Sequence, residues 1–345
     1  MPDLHSLDQL AALTPSIEER NYAGIPVRPL GRTGVNVSII GLGGGHMSRP
    51  AVSEADAIRL VQTAVDEGVT FFDNAWEYWG GESELRMGRA LAAGGRREKV
   101  TLMTKCCGRD RQTAMSNLED SLRRLQTDCI DVWQFHEMNY DNDPDWIFAS
   151  DGAIEAAVAA RQAGKVRFIG FTGHKSPHIM HKLLSCDFDW DTCQLPINVM
   201  DAHYRSFQRE ILPELVRRGI APLGMKSLGG DAQLVTDAGL TPAECRRYAL
   251  SLPISTLICG MQTLDNLRQD LAIARDFTPL SPAERADLLT RIVPHATDGR
   301  HEWFNSTQFF DSALHREQHG FPPITHVSQK AEADARTTRE PTPSP

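Results

Sequence analysis

Short apolar runs rich in Val, Ile, Leu and Phe recur along the chain, each followed by an amphipathic stretch of helical length. That alternation predicts parallel strands joined by crossover helices. The runs fall at 37–43, 70–75, 99–105, 130–136, 166–172, 192–198, 221–227 and 255–260. After the first comes SEADAIRLVQTAVDEG, where Ser53 can cap the start and Gly68 can stop the end. Ala57, Leu60, Val61 and Ala64 share one face of it. Similar stretches end at Gly94, Gly164 and Gly219. Eight such units predict a closed (β/α)8 TIM barrel, because an open doubly wound sheet rarely needs so many repeats.

Ahead of the first unit, VRPLGRTGVNVS reads as two short strands about a Gly-containing turn, a hairpin suited to plugging the barrel bottom. Past residue 280 come a helical stretch, SPAERADLLTRIV, and an aromatic segment with Trp303, Phe304, Phe309 and Phe310. Two placements of 303–310 stay open, a lid over the barrel mouth or packing against its wall. The chain thus divides into an N-terminal arm (1–27), the barrel (28–280), a helical and lid-like C-terminal extension (281–329) and a disordered tail (330–345). The tail, KAEADARTTREPTPSP, has almost no large apolar side chains.

Composition narrows the function classes. Of 345 residues, 41% are hydrophobic and 23% charged, enough for a sizeable core. Acidic residues outnumber basic ones 45 to 36, with no basic run, which argues against nucleic acid and anionic membranes as partners. No segment approaches the roughly twenty apolar residues of a membrane span. The acidic start lacks the pattern of a secretion signal, and seven cysteines without a CxxC read as reduced thiols, so the expected location is cytoplasmic. Oligomeric state is not readable from the pattern.

Catalytic groups of a barrel gather at the carboxyl ends of its strands. The polar residues there are His46, Asp73, Lys105, His136, Thr172 to His174, Gln194, Asn198 and Lys226. Charges inside apolar runs are costly unless paired, and Asp73 and Lys105 lie on consecutive strands. Tyr78, five residues past Asp73, can reach the same mouth. A phenol of pKa about 10 is a poor acid unless a cation favours its phenolate, and Lys105 is the expected cation. The group suits a reaction placing negative charge on a carbonyl oxygen: Tyr78 protonates it, Lys105 lowers the phenol pKa, Asp73 holds Lys105, and His136 orients the oxygen. Hydride would have to come from a nicotinamide. Trp76, Trp79, Met138, Asn139 and Tyr140 lie on loops after strands two and four, where an apolar or aromatic carbonyl substrate would sit; exposed aromatics equally suit a subunit contact.

Other readings compete. Asp73 and Lys105 can form a purely structural ion pair, and His136 alone is commonly a satisfied strand-end histidine. His46, Asp73 and His136 supply the ligand types of a metal hydrolase, but no HxH supports it, Lys105 would repel the cation, and no metal is expected. Lys105 would lower the pKa of Cys106 or Cys107, although packing is the commoner role. The GLGGG run at 41–45 fails the spacing of a dinucleotide loop.

Taken together, LGRTGVNVSIIGLGGG, GVTFFDNAWEYWGGESELRMGRAL, LMTK, SLRRLQTDCIDVWQFH, GKVRFIGFTGH, CQLPIN and ICGMQTLDNLRQD resemble the aldo/keto reductase superfamily, in its order, over about residues 28 to 280. The resemblance implies a NAD(P)H-dependent oxidoreductase interconverting an aldehyde or ketone and its alcohol, with Asp73, Tyr78, Lys105 and His136 as catalytic tetrad. It implies cofactor contacts at Thr172, Gly173 and His174, where the family usually has Ser-Asn, at Gln194, and at Gly260, Met261, Gln262, Thr263, Asn266 and Asp270. Met225 and Lys226 replace the usual aromatic residue and Ser; Met can cover a ring face and Lys can pair with pyrophosphate. Gln262 stands where many members carry a cation for the 2′-phosphate, so NADP(H) is favoured over NAD(H) without that support. His46, Trp76, Trp79, Met138 and Tyr140 are the substrate-side candidates. The GFTGH and GMK variants resemble a bacterial branch, some members of which carry an iron–sulfur domain; no cysteine follows Cys259, so none is expected here. A cofactor-binding regulatory module of the same fold, with little turnover, is the alternative.

Overall fold

A computed structural model describes residues 7–305, with Trp303 described by its backbone alone. An antiparallel hairpin of β1 (Val27–Pro29) and β2 (Asn36–Ser38) precedes eight parallel strands. These are β3 (Ile40–Gly43), β4 (Phe71–Asp73), β5 (Thr101–Cys106), β6 (Ile130–Phe135), β7 (Val166–Thr172), β8 (Thr192–Pro196), β9 (Ala221–Met225) and β10 (Thr256–Gly260). They close into a barrel in sequence order, β10 pairing with β3. This is the (β/α)8 architecture that the alternating pattern predicts.

The first apolar run is not one strand, as its continuous hydrophobicity suggests. It turns at Ile39, so that Asn36–Ser38 pairs back on Val27–Pro29 while Ile40–Gly43 enters the barrel. Ser38 pins the corner: its hydroxyl donates to Ile40 O (2.7 Å) and accepts from Thr70 N (2.9 Å). Hydrogen bonds formed across 32 residues override local periodicity here.

The crossover helices form where the pattern places them. Glu54–Asp66 is capped by the Ser53 hydroxyl accepting from Asp56 N, and it buries Ala57, Leu60, Val61 and Ala64. Gly219 ends Leu212–Arg218 in the left-handed region at φ 68°, the conformation that favours glycine. No helix among the described residues is long and apolar enough to cross a membrane.

The two barrel ends differ. At the amino end, Leu30 and Val37 of the hairpin pack on the interior side chains Phe71, Met103, Val132, Leu223 and Ile258. The hairpin turn is pressed so close that a side chain at Gly31 would lie 2.6 Å from Ala221 N and Gly219 O. Arg28, fully buried, anchors it by donating to Ile254 O (3.0 Å) and Leu250 O (2.7 Å). The hairpin is therefore the plug that its pattern suggested, and the polar strand ends face the other mouth.

The arm helix Leu7–Ala11 buries Leu7 and Leu10, and Asp8 accepts from Arg285 (3.0 Å) of the C-terminal helix Pro282–Ala296. Phe309, Phe310 and the tail lie outside the described residues. Leu30→Ala should cost about 2 to 5 kcal/mol by opening a cavity under the plug. A denaturant titration checks it: the midpoint falls with the slope unchanged.

Candidate active site

Asp73 closes β4 and Lys105 lies in β5, both buried, and they form a direct ion pair. Lys105 Nζ also donates to Asn74 O (2.7 Å), and Asp73 Oδ2 accepts from Gln194 Nε2 (3.0 Å). The pair is thus tied into further hydrogen bonds on both sides, as a buried charge requires. Tyr78 begins a tight turn in which Trp79, Gly80 and Gly81 take positive φ before helix Glu82–Leu91 starts. The turn is tied down by Trp79 Nε1 donating to Gly45 O (2.6 Å). Its effect is to bring the Tyr78 ring centroid within 5.0 Å of Lys105 Nζ and 5.5 Å of the His136 ring, edge to face. The four tetrad positions expected from sequence therefore meet at one mouth.

Two carboxylates that the sequence reading did not single out join them. Glu77 Oε1 lies 3.0 Å from His136 Nδ1, and Glu77 Oε2 accepts from Cys107 Sγ (2.6 Å). Glu137, next to His136, is buried in the left-handed region at φ 50°, with Oε1 3.9 Å from His174 Nε2. Adjacency to Tyr78 and His136 was the available signal for both. A clamp holds this loop: Asp143 pairs with Arg109 (2.6 Å) and accepts from Asn139 N and Tyr140 N (2.7 and 2.8 Å). Arg109 in turn donates to Cys107 O and His136 O (2.8 and 2.7 Å).

The charges set the protonation states in an unexpected direction. Burial, then Asp73, Glu77 and Glu137, push the Tyr78 phenol well above its ordinary value, reversing the lowering expected from Lys105 alone. Burial lowers His136, against the opposing pull of Glu77. Burial likewise raises Cys106 to about 12 and Cys107 well up, so Lys105 does not activate either thiol. Glu137 is raised by burial and Glu77, and Lys226 is lowered by burial.

The expected cofactor positions separate into two groups. Thr172 closes β7 beside Gln194, and a side chain at Gly173 would come within 2.9 Å of Met138 O, so the close approach accounts for glycine. Lys226 follows Met225 at the end of β9 with φ 58°, its ammonium 5.0 Å from the Phe304 ring centroid. Phe304 also meets His174 edge to face at 5.9 Å, which puts Trp303–Asn305 over the mouth. Its neighbour Glu302, pushed up to about 7 by burial, accepts from Asn198 (3.0 Å). Gly260 is exposed at the end of β10, and Gln262, Thr263 and Asn266 form the start of helix Leu264–Arg275. Asp270 departs from the expectation: it is buried in a two-point ion pair with Arg246 (3.0 and 3.1 Å), which also holds Ser227. Gln194, too, has its amide nitrogen committed to Asp73.

The substrate-side expectation changes more. Trp76 turns to helix Arg111–Leu125, its Nε1 donating to Asp120 (3.1 Å) under the Arg124 guanidinium. Met138 is fully buried, and Tyr140 is buried beneath Lys175 (4.7 Å). His46 lies against Gly260 at the end of β10, with Nε2 3.6 Å from Asp231. Trp79 stays partly exposed on the turn that carries Tyr78, and Trp76 and His46 are partly exposed as well. Nor do His46, Asp73 and His136 form a ligand cluster: among the described residues, the group with metal-ligand spacing is Glu77, Cys107 and His136.

Comparison with known proteins follows this geometry. The family model described as "Aldo/keto reductase family" matches residues 39–247. The chain is similar to the aldo-keto reductase YhdN of Bacillus subtilis (strain 168), at 30% identity over 52% of this chain. That match spans 54% of the relative, little more than half its length. It is similar to L-galactose dehydrogenase of Arabidopsis thaliana, at 33% identity over 74% of this chain and 90% of the relative. The fold matches the holo form of an aldo-keto reductase from Bacillus halodurans, AKR11C1, with TM-score 0.66 and 22% identity. That alignment covers 81% of this chain and 99% of the other.

Asp143→Ala should remove a buried ion-pair partner and two backbone acceptor contacts, destabilising the protein by about 3 to 5 kcal/mol. Chemical denaturation followed by circular dichroism reads the loss.

Proposed function

The chain belongs to the aldo/keto reductase family, and on that premise we propose that it interconverts a carbonyl compound and its alcohol with NAD(P)H. The observation that carries the reading is the buried Lys105–Asp73 pair set beside the Tyr78 ring, with the His136 ring on another side of the phenol. In the reductive direction Tyr78 gives its hydroxyl proton to the carbonyl oxygen. Lys105 stabilises the phenolate left behind, and Asp73 with Gln194 keeps that ammonium in place. His136, fixed by the Arg109–Asp143 clamp on its carbonyl, directs an imidazole N–H at the same oxygen.

The mouth fits a dinucleotide. Lys226 and the start of the twelve-residue helix Leu264–Arg275 follow the neighbouring strands β9 and β10, the surroundings an anionic pyrophosphate favours. Gly260, Gln262, Thr263 and Asn266 would hold the phosphate and adenosine end, and Thr172, Gly173 and His174 the carboxamide end. When bound, the nicotinamide supplies the hydride that no side chain can provide. NADP(H) is the favoured form on the strength of the family resemblance, while the neutral Gln262 adds no charge for a 2′-phosphate.

For substrate we infer a polar, hydroxylated carbonyl compound rather than an aromatic one. Trp76 and Tyr140 are engaged elsewhere, and Lys105, His136, His174, Glu77 and Glu137 give the mouth a polar lining beside the partly exposed Trp79. The name of the plant relative, L-galactose dehydrogenase, supports the same class.

The test is loss of reduced-nicotinamide absorbance with NADPH or NADH against hydroxylated and aromatic aldehydes. Turnover is expected first with the hydroxylated set. Binding of cofactor without turnover on any carbonyl would favour the regulatory module. Tyr78→Phe should lower kcat by about 10² to 10⁴ while cofactor affinity holds; full activity in that variant would end the mechanism. Lys226→Ala should weaken cofactor binding by about tenfold, about 1.4 kcal/mol, measured by direct titration.

A further inference from the structure

We propose that Glu77, Cys107 and His136 form a binding site for a borderline-soft divalent cation, Zn²⁺ or Co²⁺, whose occupancy shuts off turnover. The three residues follow the consecutive strands β4, β5 and β6, so barrel closure brings them together. One ligand atom from each lies within 4.8 Å of the others. Neighbouring ligand atoms in a tetrahedral zinc site stand about 3.3 to 3.8 Å apart, given bonds of about 2.0 to 2.3 Å. Cys107 Sγ and Glu77 Oε2 at 2.6 Å, and Glu77 Oε1 and His136 Nδ1 at 3.0 Å, need only small side-chain rotations to reach that spacing.

A second observation points the same way. His136 Nδ1 is buried and faces a fellow ligand of the cluster, Glu77 Oε1, at 3.0 Å. Thiolate, imidazole and carboxylate together select zinc-like ions over magnesium or calcium. The charges around the site also admit a dication. Lys105 is offset by Asp73 and Arg109 by Asp143, so Glu77 and the Cys107 thiolate are left to meet the ion. Lys105, the cation expected to repel a metal, is held by Asp73 and Asn74 O.

Binding involves no redox change: the sulfur–metal bond forms as the thiol proton passes to solvent. Glu77 is the one ligand whose side chain reaches the surface, at 11% exposure, and it receives the ion at the mouth. Occupancy would fix the His136 ring and set a cation next to Tyr78. Binding stands apart from the reductase reading; the loss of turnover rests on it.

The test uses the full chain, stripped with chelator and desalted, then titrated with CoCl₂ at neutral pH. The expected result is one equivalent bound with a thiolate-to-cobalt charge-transfer band, bleached by added ZnCl₂ and missing in Cys107→Ser. Glu77→Gln, checked for folding by circular dichroism, should also weaken the band, and it serves if the cysteine variant misfolds. Zn²⁺ should abolish turnover of the parent but not of Cys107→Ser, each compared with its own metal-free rate. No band at saturating cobalt, or a band that survives in Cys107→Ser through the partly exposed Cys129 or Cys186, overturns the site. A Cys107-dependent band without inhibition keeps the site and overturns the proposed loss of turnover.

Discussion

An ammonium group sealed inside a protein must find an anion, and Lys105 finds Asp73 across the β4–β5 pair. That one requirement organises the mouth of the barrel. Asp73 has a second oxygen to satisfy, which draws Gln194 from β8, on the far side of the barrel, into the same network. The remaining Lys105 donor takes Asn74 O and so fixes the backbone from which the Tyr78 turn departs. Phenol, ammonium and imidazole then face one another because the strand ends that carry them cannot move apart without breaking a buried ion pair.

The same economy of buried charge recurs around this centre. Arg109 and Asp143 spend their hydrogen bonds on the backbone of the loop carrying His136 and Glu137. Arg246 and Asp270 hold Ser227, next to Lys226 beyond the end of β9. Each pair fixes the backbone or side chain next to a strand-end group, His136 in one case and Lys226 in the other. Interior ion pairs gain little net stability against an apolar replacement, so their place here is better understood as geometric. The opposite end of the barrel shows the contrast: there the hairpin fills the interior with Leu30 and Val37, and its buried Arg28 is met by backbone carbonyls instead of a carboxylate.

The C-terminal extension completes the enclosure. Asn198 uses its carbonyl to receive Met200 N and Asp201 N and its amide to hold Glu302, so one side chain joins the loop after β8 to the segment above the mouth. Asn305 continues the connection by accepting from Arg205. Phe304 is thereby kept over His174 and Lys226, which shields those polar groups from water and strengthens their interactions.

Local pattern carried most of the architecture. Periodicity, caps and glycine stops depend on neighbours within a turn or two, and they marked eight βα units, the hairpin and the strand ends where Asp73, Tyr78, Lys105 and His136 stand. Partners distant along the chain decided the rest. Gln194 reaches Asp73 across 121 residues, Trp76 reaches Asp120 across 44, and Asn198 reaches Glu302 across 104. A residue type shows what a side chain can bond to, but not which of several partners the fold delivers. For that reason Asp270 and Trp76 read as ligand contacts and proved to be committed within the protein, while Glu77 passed unnoticed beside Tyr78. The sequence by itself determined a barrel with Asp73, Tyr78, Lys105 and His136 at its mouth; only tertiary structure, through burial and long-range pairing, decided that the Tyr78 phenol stands above its ordinary pKa and the His136 imidazole below.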